Sequence, residues 1–300
     1  MQNNNTSHPA AAARFFSSID KNDENTIQCG LCPRSCLLAP GQSGHCQVRS
    51  NNKGKAALPF YGFVTSLALD PIEKKPLYHF RPGTEILSVG FAGCNLHCPF
   101  CQNWRISQQT DIPGRVYSPK ELITTALKTG TPALAYTYSE PLVHIEFLLD
   151  CMKEARKAGV ANVIVSNGCI NENAAEEVLE LTDAANIDLK CFSEETYAKV
   201  LGGDLATVTS FIRKAIEKGV HTEITTLVVP GLNDSQTELN LCRDFIAELK
   251  SGEIPWHLSA YHPDWKWKAP RTEPEFIIKT AARMREKLAH AYTGNIGHFR

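Results

Sequence analysis

The chain has 300 residues, of which 43% are hydrophobic, and a formal net charge of −1. This length and composition suffice for one large domain with a small appendage and a sizeable core. Because the charge is close to zero, no global field favours an anionic membrane, and nucleic-acid binding is not expected. No run of about 18 or more apolar residues is present, so we expect no transmembrane helix and no membrane partner.

The first residues of the chain are polar. Residues 1–26 are rich in Asn and contain an Ala run, which predicts a disordered lead without the apolar core of a signal peptide. We therefore expect a cytoplasmic protein. In that reducing compartment its 11 cysteines would serve as metal ligands or buried thiols and not as a disulfide framework.

A first cysteine group lies in residues 27–84, which we interpret as a cysteine-rich N-terminal region followed by a connector. Its members, with spacing Cx2Cx3Cx9C, are Cys29, Cys32, Cys36 and Cys46. Four thiolates close a metal site, which suits structural zinc or an auxiliary iron–sulfur cluster. Unmetallated thiols are the third interpretation. A short segment with little core of its own would gain folding free energy from such a metal.

Residues 85–300 alternate between short apolar strands and helical patterns. The predicted strands are 85–92, 133–138, 162–166, 186–190, 222–229 and 257–262, and the predicted helices are 119–129, 142–158, 173–183, 206–218, 235–250 and 273–290. Near-continuous apolar strands separated by helices indicate an α/β fold with a parallel sheet. Six units predict an incomplete (β/α)6 TIM-like barrel, with a full eight-unit barrel as the structural alternative. In such folds the chemistry collects at the carboxyl ends of the strands.

A second cysteine group directly follows the first barrel strand. Cys94, Cys98 and Cys101 have the spacing CxxxCxxC. Three thiolates on one loop can hold three irons of a [4Fe-4S] cluster and leave the fourth iron open for a small ligand, which is a catalytic arrangement. The alternatives are three buried thiols, or a zinc site that is completed by His97 or a distant residue.

This loop, with Phe100 directly before the third cysteine, resembles the cluster loop of the radical S-adenosylmethionine (SAM) enzymes. The continuation Gln102-Asn103-Trp104 is similar to relatives of the pyruvate formate-lyase activating enzymes. The resemblance implies that a reduced cluster cleaves SAM to methionine and a 5′-deoxyadenosyl radical, which takes a hydrogen atom from a substrate. It also implies that Phe100 lies near the adenine and that flavodoxin or ferredoxin donates the electron.

The later strand ends carry further parts of this resemblance. Tyr138, Ser139 and Glu140 stand where the family usually has Gly-Gly-Glu, a segment that meets the amino group of SAM. Asp188 and Lys190 match an Asp-x-Lys pair that contacts the ribose and methionyl parts of SAM. The resemblance thus implies one SAM pocket, lined by Phe100, Tyr138, Ser139, Glu140, Asn167, Asp188, Lys190 and His262.

These residues also have ordinary structural interpretations. Glu140 suits the cap of the following helix, and Asn167 suits a turn after a strand. Asp188 and Lys190 lie on the same side of a strand and suit an internal salt bridge, and His262 suits a structural histidine. Because the motifs appear in order on successive strand ends, together they favour the catalytic interpretation.

Over residues 27–298 the chain is most similar to the radical SAM component of the AmmeMemoRadiSam systems. The blocks that carry this similarity include 29–36, 41–46 and 70–80. Memo-type and AMMECR-type proteins, encoded beside such enzymes, are therefore candidate partners. Longer relatives carry a cysteine-containing tail after a Gly-His pair, whereas this chain stops at Arg300, so we expect no metal site there.

The predicted function is that of a radical SAM enzyme, an oxidoreductase like the activating enzymes. It would abstract hydrogen from a protein partner, as glycyl-radical activases do, or from a metabolite. One alternative is a zinc-dependent hydrolase on a barrel, although no HExxH or HxH motif is present. The other is a non-catalytic zinc-binding interaction module with a basic-aromatic patch. That patch would consist of Lys74, Lys75, Trp265, Lys266, Trp267 and Lys268.

Overall fold

The computed structural model describes residues 12–20 and 23–297. Its first strands, β1 (Phe16–Asp20) and β2 (Asp23–Cys29), pair antiparallel, and β3 (Leu37–Leu38) pairs with β2. The predicted disordered lead over 1–26 is therefore wrong for the described part of that segment. The physical reason is that Phe15 and Phe16 pack against the core, so this polar stretch still partly buries two aromatic rings. Residues 1–11 and 21–22 lie outside the described residues.

The rest of the cysteine-rich region consists of short antiparallel pairs. Strand β4 (Ser50–Asn52) pairs with β5 (Lys55–Ala57). Strand β6 (Phe63–Val64) pairs with β9 (Arg115–Val116), which belongs to the loop after the first barrel strand. The N-terminal region is therefore tied to the barrel through backbone pairing as well as side-chain packing.

The central sheet has eight strands, which lie in the order β15-β14-β13-β12-β11-β10-β8-β7. Their bounds are β7 Ser66–Pro71, β8 Glu85–Gly90, β10 Ala133–Thr137, β11 Ala161–Ser166, β12 Ala184–Asp188, β13 His221–Val228, β14 Trp256–Ala260 and β15 Ala291–Gly294. Seven strands are parallel, and β7 is antiparallel to β8. Since β7 and β15 are its two edges, the sheet does not close, and the predicted incomplete TIM-like barrel is confirmed.

The helices follow the predicted pattern closely. Their bounds are α1 Trp104–Ser107, α2 Pro119–Thr129, α3 Ile145–Lys157, α4 Glu172–Leu179, α5 Glu194–Thr196, α6 Leu205–Glu217, α7 Gln236–Glu248 and α8 Pro274–Met284. The largest difference is at α8, which ends well before the predicted residue 290 because the chain turns to enter β15. Within the described ranges, no helix has both the length and the apolarity that crossing a membrane requires.

The end of the barrel interior at which the parallel strands begin is filled by the segment that connects β7 to β8. Ile72 and Leu77 of this segment are fully buried against alanines that alternate along neighbouring strands, such as Ala133 and Ala161. Because side chains alternate across a strand, the same strand faces continue upward to the carboxyl ends. The connector thus seals one end of the barrel and leaves the other end open.

Candidate active site

A cavity of about 340 Å³ lies at the carboxyl ends of the parallel strands. Many of the residues around it come from the carboxyl ends of β8, β10, β11 and β12 and the loops that follow them, as the order of the sequence motifs predicts. The others belong to the connector before β8, to β13 and β14, and to the position after β15. The predicted site residues that line this cavity are Cys94, Cys98, Phe100, Cys101, Tyr138, Ser139, Glu140, Asn167, Asp188 and Lys190. His262 is exposed and does not line it, but its Nδ1 lies 2.9 Å from Nε2 of Gln102, which does.

Polar groups approach the sulfurs of the cysteine loop. The backbone N–H of Leu96 donates to Cys94 Sγ over 3.3 Å, and Ser107 Oγ lies 3.2 Å from Cys101 Sγ. Burial raises the pKa of Cys98 to about 12 and raises that of Cys94 well above its usual value. These thiols therefore hold their protons until a cation compensates the charge, which is typical of buried metal ligands.

The turn after β10 has a backbone conformation that suits glycine, the residue that radical SAM enzymes usually have at positions 138 and 139. Tyr138 has φ = +70°, a left-handed conformation that glycine adopts without strain. The side chain of Glu140 accepts hydrogen bonds from the N–H of Leu142, as a cap, and from Ser166 Oγ and the N–H of Asn167. Burial raises the pKa of Glu140 to about 7, against the effect of these donors. Glu140 therefore links the ends of β10 and β11.

Asn167 directly follows β11 and connects the end of that strand to the cysteine loop. Its Nδ2 donates to Asn95 Oδ1 over 2.9 Å and lies 3.6 Å from Cys94 Sγ. Its Oδ1 accepts from the backbone N–H of Cys169 over 2.8 Å. Asn167 is thus both a turn residue and a neighbour of the cysteine thiols.

Asp188 and Lys190 form an internal salt bridge, as the structural interpretation of this pair predicts. Asp188 Oδ2 and Lys190 Nζ lie 2.8 Å apart, and both side chains face the cavity. Although burial lowers the pKa of Lys190, the charge of Asp188 outweighs it and raises the pKa above its usual value. The ammonium therefore stays charged beside the cysteine loop.

A second ion pair on the cavity wall was not identified from the sequence. Lys75 is buried and donates to Asp70 Oδ2 over 2.8 Å, and Ser88 Oγ donates to the same oxygen over 2.9 Å. Tyr138 donates its hydroxyl proton to Asp70, and Lys75 Nζ lies 4.3 Å from the centre of the Tyr138 ring. Burial raises the pKa of Asp70, but hydrogen bonds from Lys75 and Tyr138 outweigh it and hold the pKa well below its usual range. In the sequence, the clustered charges of residues 70–75 were the signal that could have revealed this ion pair.

The predicted basic-aromatic patch is not one surface, because Lys75 is buried in that ion pair. Residues 264–268 instead pack against the cysteine loop. The N–H groups of Lys266 and Trp267 donate to the carbonyl of Pro99 over 3.1 and 2.9 Å. Trp104 stacks on Trp265 with ring centres 6.3 Å apart. This segment therefore supports the loop that carries the cysteines.

The remaining cysteines divide into core residues and the N-terminal group. Cys151, Cys169, Cys191 and Cys242 are all buried, as core packing predicts. In residues 12–20 and 23–297 no three His, Cys, Asp or Glu side chains already surround a point that could hold a metal ion. A metal at Cys29, Cys32, Cys36 and Cys46 therefore stays a prediction.

A model of the radical SAM superfamily matches residues 88–240, a range that includes the cysteine loop. The chain is 38% identical over 284 residues to an uncharacterised protein of Methanocaldococcus jannaschii, covering 93% of this chain and 84% of that one. It is 27% identical over 195 residues to the pyruvate formate-lyase-activating enzyme of Staphylococcus epidermidis, covering 59% and 75%. A radical SAM methyltransferase from Sphaerobacter thermophilus superposes with a TM-score of 0.57 at 13% identity, covering 71% and 67%, and is similar in fold.

Proposed function

Because the chain belongs to the radical SAM superfamily, we propose that Cys94, Cys98 and Cys101 hold its [4Fe-4S] cluster and that the adjoining cavity holds its SAM. The observation that carries this proposal is that these three thiols share one cavity with every predicted SAM-pocket residue except His262. When bound, the cluster supplies the electron that splits SAM into methionine and a 5′-deoxyadenosyl radical. Three protein thiolates leave one iron without a protein ligand, which suits SAM as its ligand.

The charged pair at the end of β12 would orient SAM. Asp188 presents a carboxylate that accepts from the ribose hydroxyls, and Lys190 presents an ammonium that donates to the methionyl carboxylate. At the end of β10, backbone carbonyls of the 138–140 turn would accept from the SAM ammonium. Phe100, which is almost fully buried on the cavity wall, offers an apolar surface to the adenine. His262 would reach this site through Gln102.

The size of the cavity constrains the substrate. About 340 Å³ is near the lower end of the roughly 300–1,000 Å³ that is usual for a pocket enclosing one small ligand. SAM would occupy most of it, so a substrate has to approach through the open mouth of the barrel. We therefore favour a residue on a segment of a partner protein as the hydrogen donor, which is the activase-like function. The similarity to a pyruvate formate-lyase-activating enzyme supports this choice.

The partners proposed here follow from the same family relationship. Flavodoxin or ferredoxin would deliver the electron. Memo-type and AMMECR-type proteins remain candidate partners through the resemblance of the 29–36, 41–46 and 70–80 blocks. The zinc-hydrolase and zinc-module alternatives gain no support, since the superfamily match includes the cysteine loop and the predicted basic-aromatic patch is divided.

The test is anaerobic reconstitution with iron and sulfide, followed by reduction. We expect about four irons at the loop cysteines, an EPR signal that changes when SAM is added, and formation of 5′-deoxyadenosine. Cys98→Ala should lose all three readouts because it removes one of three ligands. Cys242→Ala is the matched control, since Cys242 is fully buried in α7 outside the site, and it should retain them. Absence of a cluster from the reconstituted wild type would contradict the proposal.

A further inference from the structure

The four N-terminal cysteines converge in space. The N–H of Cys29 donates to the carbonyl of Cys36 over 2.9 Å, which closes the segment between them into a tight loop. A Cβ placed on Gly44 would lie 3.8 Å from the sulfurs of both Cys36 and Cys46. The N–H of Ser35 donates to the carbonyl of Cys32 over 3.1 Å, so a tight turn keeps Cys32 within the same loop. The four cysteines thus lie close together along the folded backbone, although no three of their side chains already surround a common point.

Several N–H groups lie near these sulfurs. The backbone N–H of Arg34 approaches Cys32, and those of Val48 and Arg49 approach Cys46. The Arg49 guanidinium approaches Cys29. Backbone donors two or three residues after a cysteine stabilise its thiolate form, and the cysteine loop of the active site has the same feature at Cys94. These sulfurs therefore have N–H neighbours of the kind that surround metal-bound thiolates.

The space at this cluster suits a single ion. Cys29 and Cys46 are only 7% and 8% exposed, and even a single methyl group on Gly44 would be in van der Waals contact with the sulfurs of Cys36 and Cys46. A tetrahedral Zn²⁺ needs only four sulfurs at about 2.3 Å, whereas an iron–sulfur cluster would insert eight further atoms. Cys32 and Cys36 are half-exposed, so their side chains have room to rotate toward an ion.

We propose that Cys29, Cys32, Cys36 and Cys46 bind one Zn²⁺ in a closed four-thiolate site that supports the cysteine loop of the active site. The four thiols give up their protons to solvent when the ion binds, and no electron is transferred. The supporting role rests on the proposed function, because it concerns the loop that would hold the cluster. The zinc site itself does not depend on that function.

Three contacts join this zinc site to the cysteine loop. The carbonyl of Cys46 packs against Gly93, where a Cβ would lie only 2.3 Å from the oxygen. The ring of His45 stacks on that of His97 with centres 3.6 Å apart. Arg34 Nε donates to the carbonyl of Asn95 over 3.2 Å. The contacts lie on both sides of Cys94, so ordering the zinc site restrains the loop at the first cysteine.

Metal analysis of the full-length protein tests the site. Protein purified anaerobically from zinc-containing medium should carry one zinc per chain, with an all-sulfur shell by X-ray absorption. Cys36→Ser should lose that zinc, whereas Cys98→Ala should keep it and lose only the iron. The control Cys242→Ser should keep both metals. About eight irons without zinc in the wild type, or zinc retained by Cys36→Ser, would overturn the assignment.

A measurement on the wild type tests the site without relying on a variant that could fail to fold. Zinc is removed with a chelator and Co²⁺ is added, which should produce the intense sulfur-to-cobalt absorption and the visible bands of a tetrahedral thiolate site. Their absence would overturn the zinc assignment. The zinc-free protein should also reconstitute less [4Fe-4S] cluster, and an unchanged yield would overturn the supporting role. If zinc binds but no 5′-deoxyadenosine forms, the proposed function fails and the zinc site stands.

Discussion

At the residue scale, Glu223 of β13 is a buried charge with four hydrogen-bond partners. Its carboxylate is fully buried and accepts from the N–H groups of Tyr78 and His79 over 3.0 and 2.8 Å. Nε2 of His257 and Nε2 of His221 lie 2.6 and 3.0 Å from its oxygens. Burial raises the pKa of Glu223, but these partners outweigh it and hold the value at about 2. Glu223 therefore fastens the connector before β8 to the far strands of the sheet.

Replacing this carboxylate should be costly. We expect Glu223→Gln to lower the free energy of unfolding by about 3 kcal/mol at pH 7, because its amide would face donors that need an acceptor. The pKa of Glu223 is lower in the folded state than in the unfolded state. The stabilisation by its carboxylate is therefore present above pH 4.5 and is lost as the pH falls toward 2. Urea unfolding at pH 7 and pH 3 measures the difference.

The control for this measurement is Glu195→Gln, which breaks an exposed ion pair with Lys199. Exposed pairs contribute little, so its effect should stay within about 0.5 kcal/mol. Equal effects of the two substitutions would show that burial of Glu223 does not determine its contribution.

The proposed SAM contact at Asp188 gives a second residue-scale prediction. Asp188→Asn removes the charge that pairs with Lys190 and that would accept from the ribose. Loss of a charged hydrogen bond costs about 1.5–3 kcal/mol, so the Kd for SAM should rise roughly ten- to hundred-fold. Isothermal titration of the reconstituted protein measures it, with Glu195→Gln as the control. An unchanged Kd would remove Asp188 from the SAM pocket.

At the scale of elements, the loop after β8 depends on a close backbone approach. Gly93 has φ = +78°, and the carbonyl of Cys46 occupies the space that a side chain would need. Gly130, at the end of α2, has nearly the same φ of +72°, but nothing lies within 4 Å of its Cβ position. Substitutions at these two glycines therefore distinguish the cost of a left-handed backbone conformation from the cost of a steric clash.

We expect Gly130→Ala to cost about 1–2 kcal/mol of stability, which is the cost of a left-handed residue alone. Gly93→Ala should cost about 1–3 kcal/mol more, because the new methyl group forces the cysteine-rich region away from the loop. It should also lower the yield of reconstituted cluster, which Gly130→Ala should not. Urea unfolding and iron analysis test both substitutions, and equal losses of stability would exclude the packing effect.

At the scale of the whole molecule, one buried ion pair joins the N-terminal region to the barrel. Arg49 and Glu146 of α3 are 1% and 4% exposed, and their closest atoms lie 2.7 Å apart. The N–H of Arg14 donates to Glu146, and the Arg49 guanidinium lies 4.7 Å from the centre of the Phe16 ring. The first strands, the cysteine-rich region and the barrel therefore meet at one point.

Removal of one partner leaves a buried charge, so Arg49→Met should lower the free energy of unfolding by about 3–5 kcal/mol. The double variant Arg49→Met/Glu146→Leu should recover much of that loss, since no charge then stays buried. Arg213→Met, which removes an exposed pair with Glu248, is the control and should change stability by less than about 1 kcal/mol. A double variant as unstable as the single one would contradict the ion-pair explanation.

The parallel strands were the most predictable part of the fold. Each of the six predicted strands lies within two residues of its position in the sheet, because strands that are buried on both faces, such as β10 and β14, leave continuous apolar runs. The edge strands β7 and β15 were missed. β7 is half-exposed and ends at a proline, and β15 is short and ends in glycine, so neither leaves such a run.

The sequence alone determined the spacing in the cysteine loop, the order of the strand-end motifs and hence the place of the candidate site. These features depend on residues that are close together in the chain, so they are visible as sequence patterns. Only the tertiary structure decided which charges meet across long separations. Asp70 bonds to Tyr138, and Glu223 bonds to the backbone at Tyr78, over separations that no spacing rule covers. The physical reason is that buried charges are stabilised by whichever partners the folded barrel brings near, and this proximity is not encoded in any one segment.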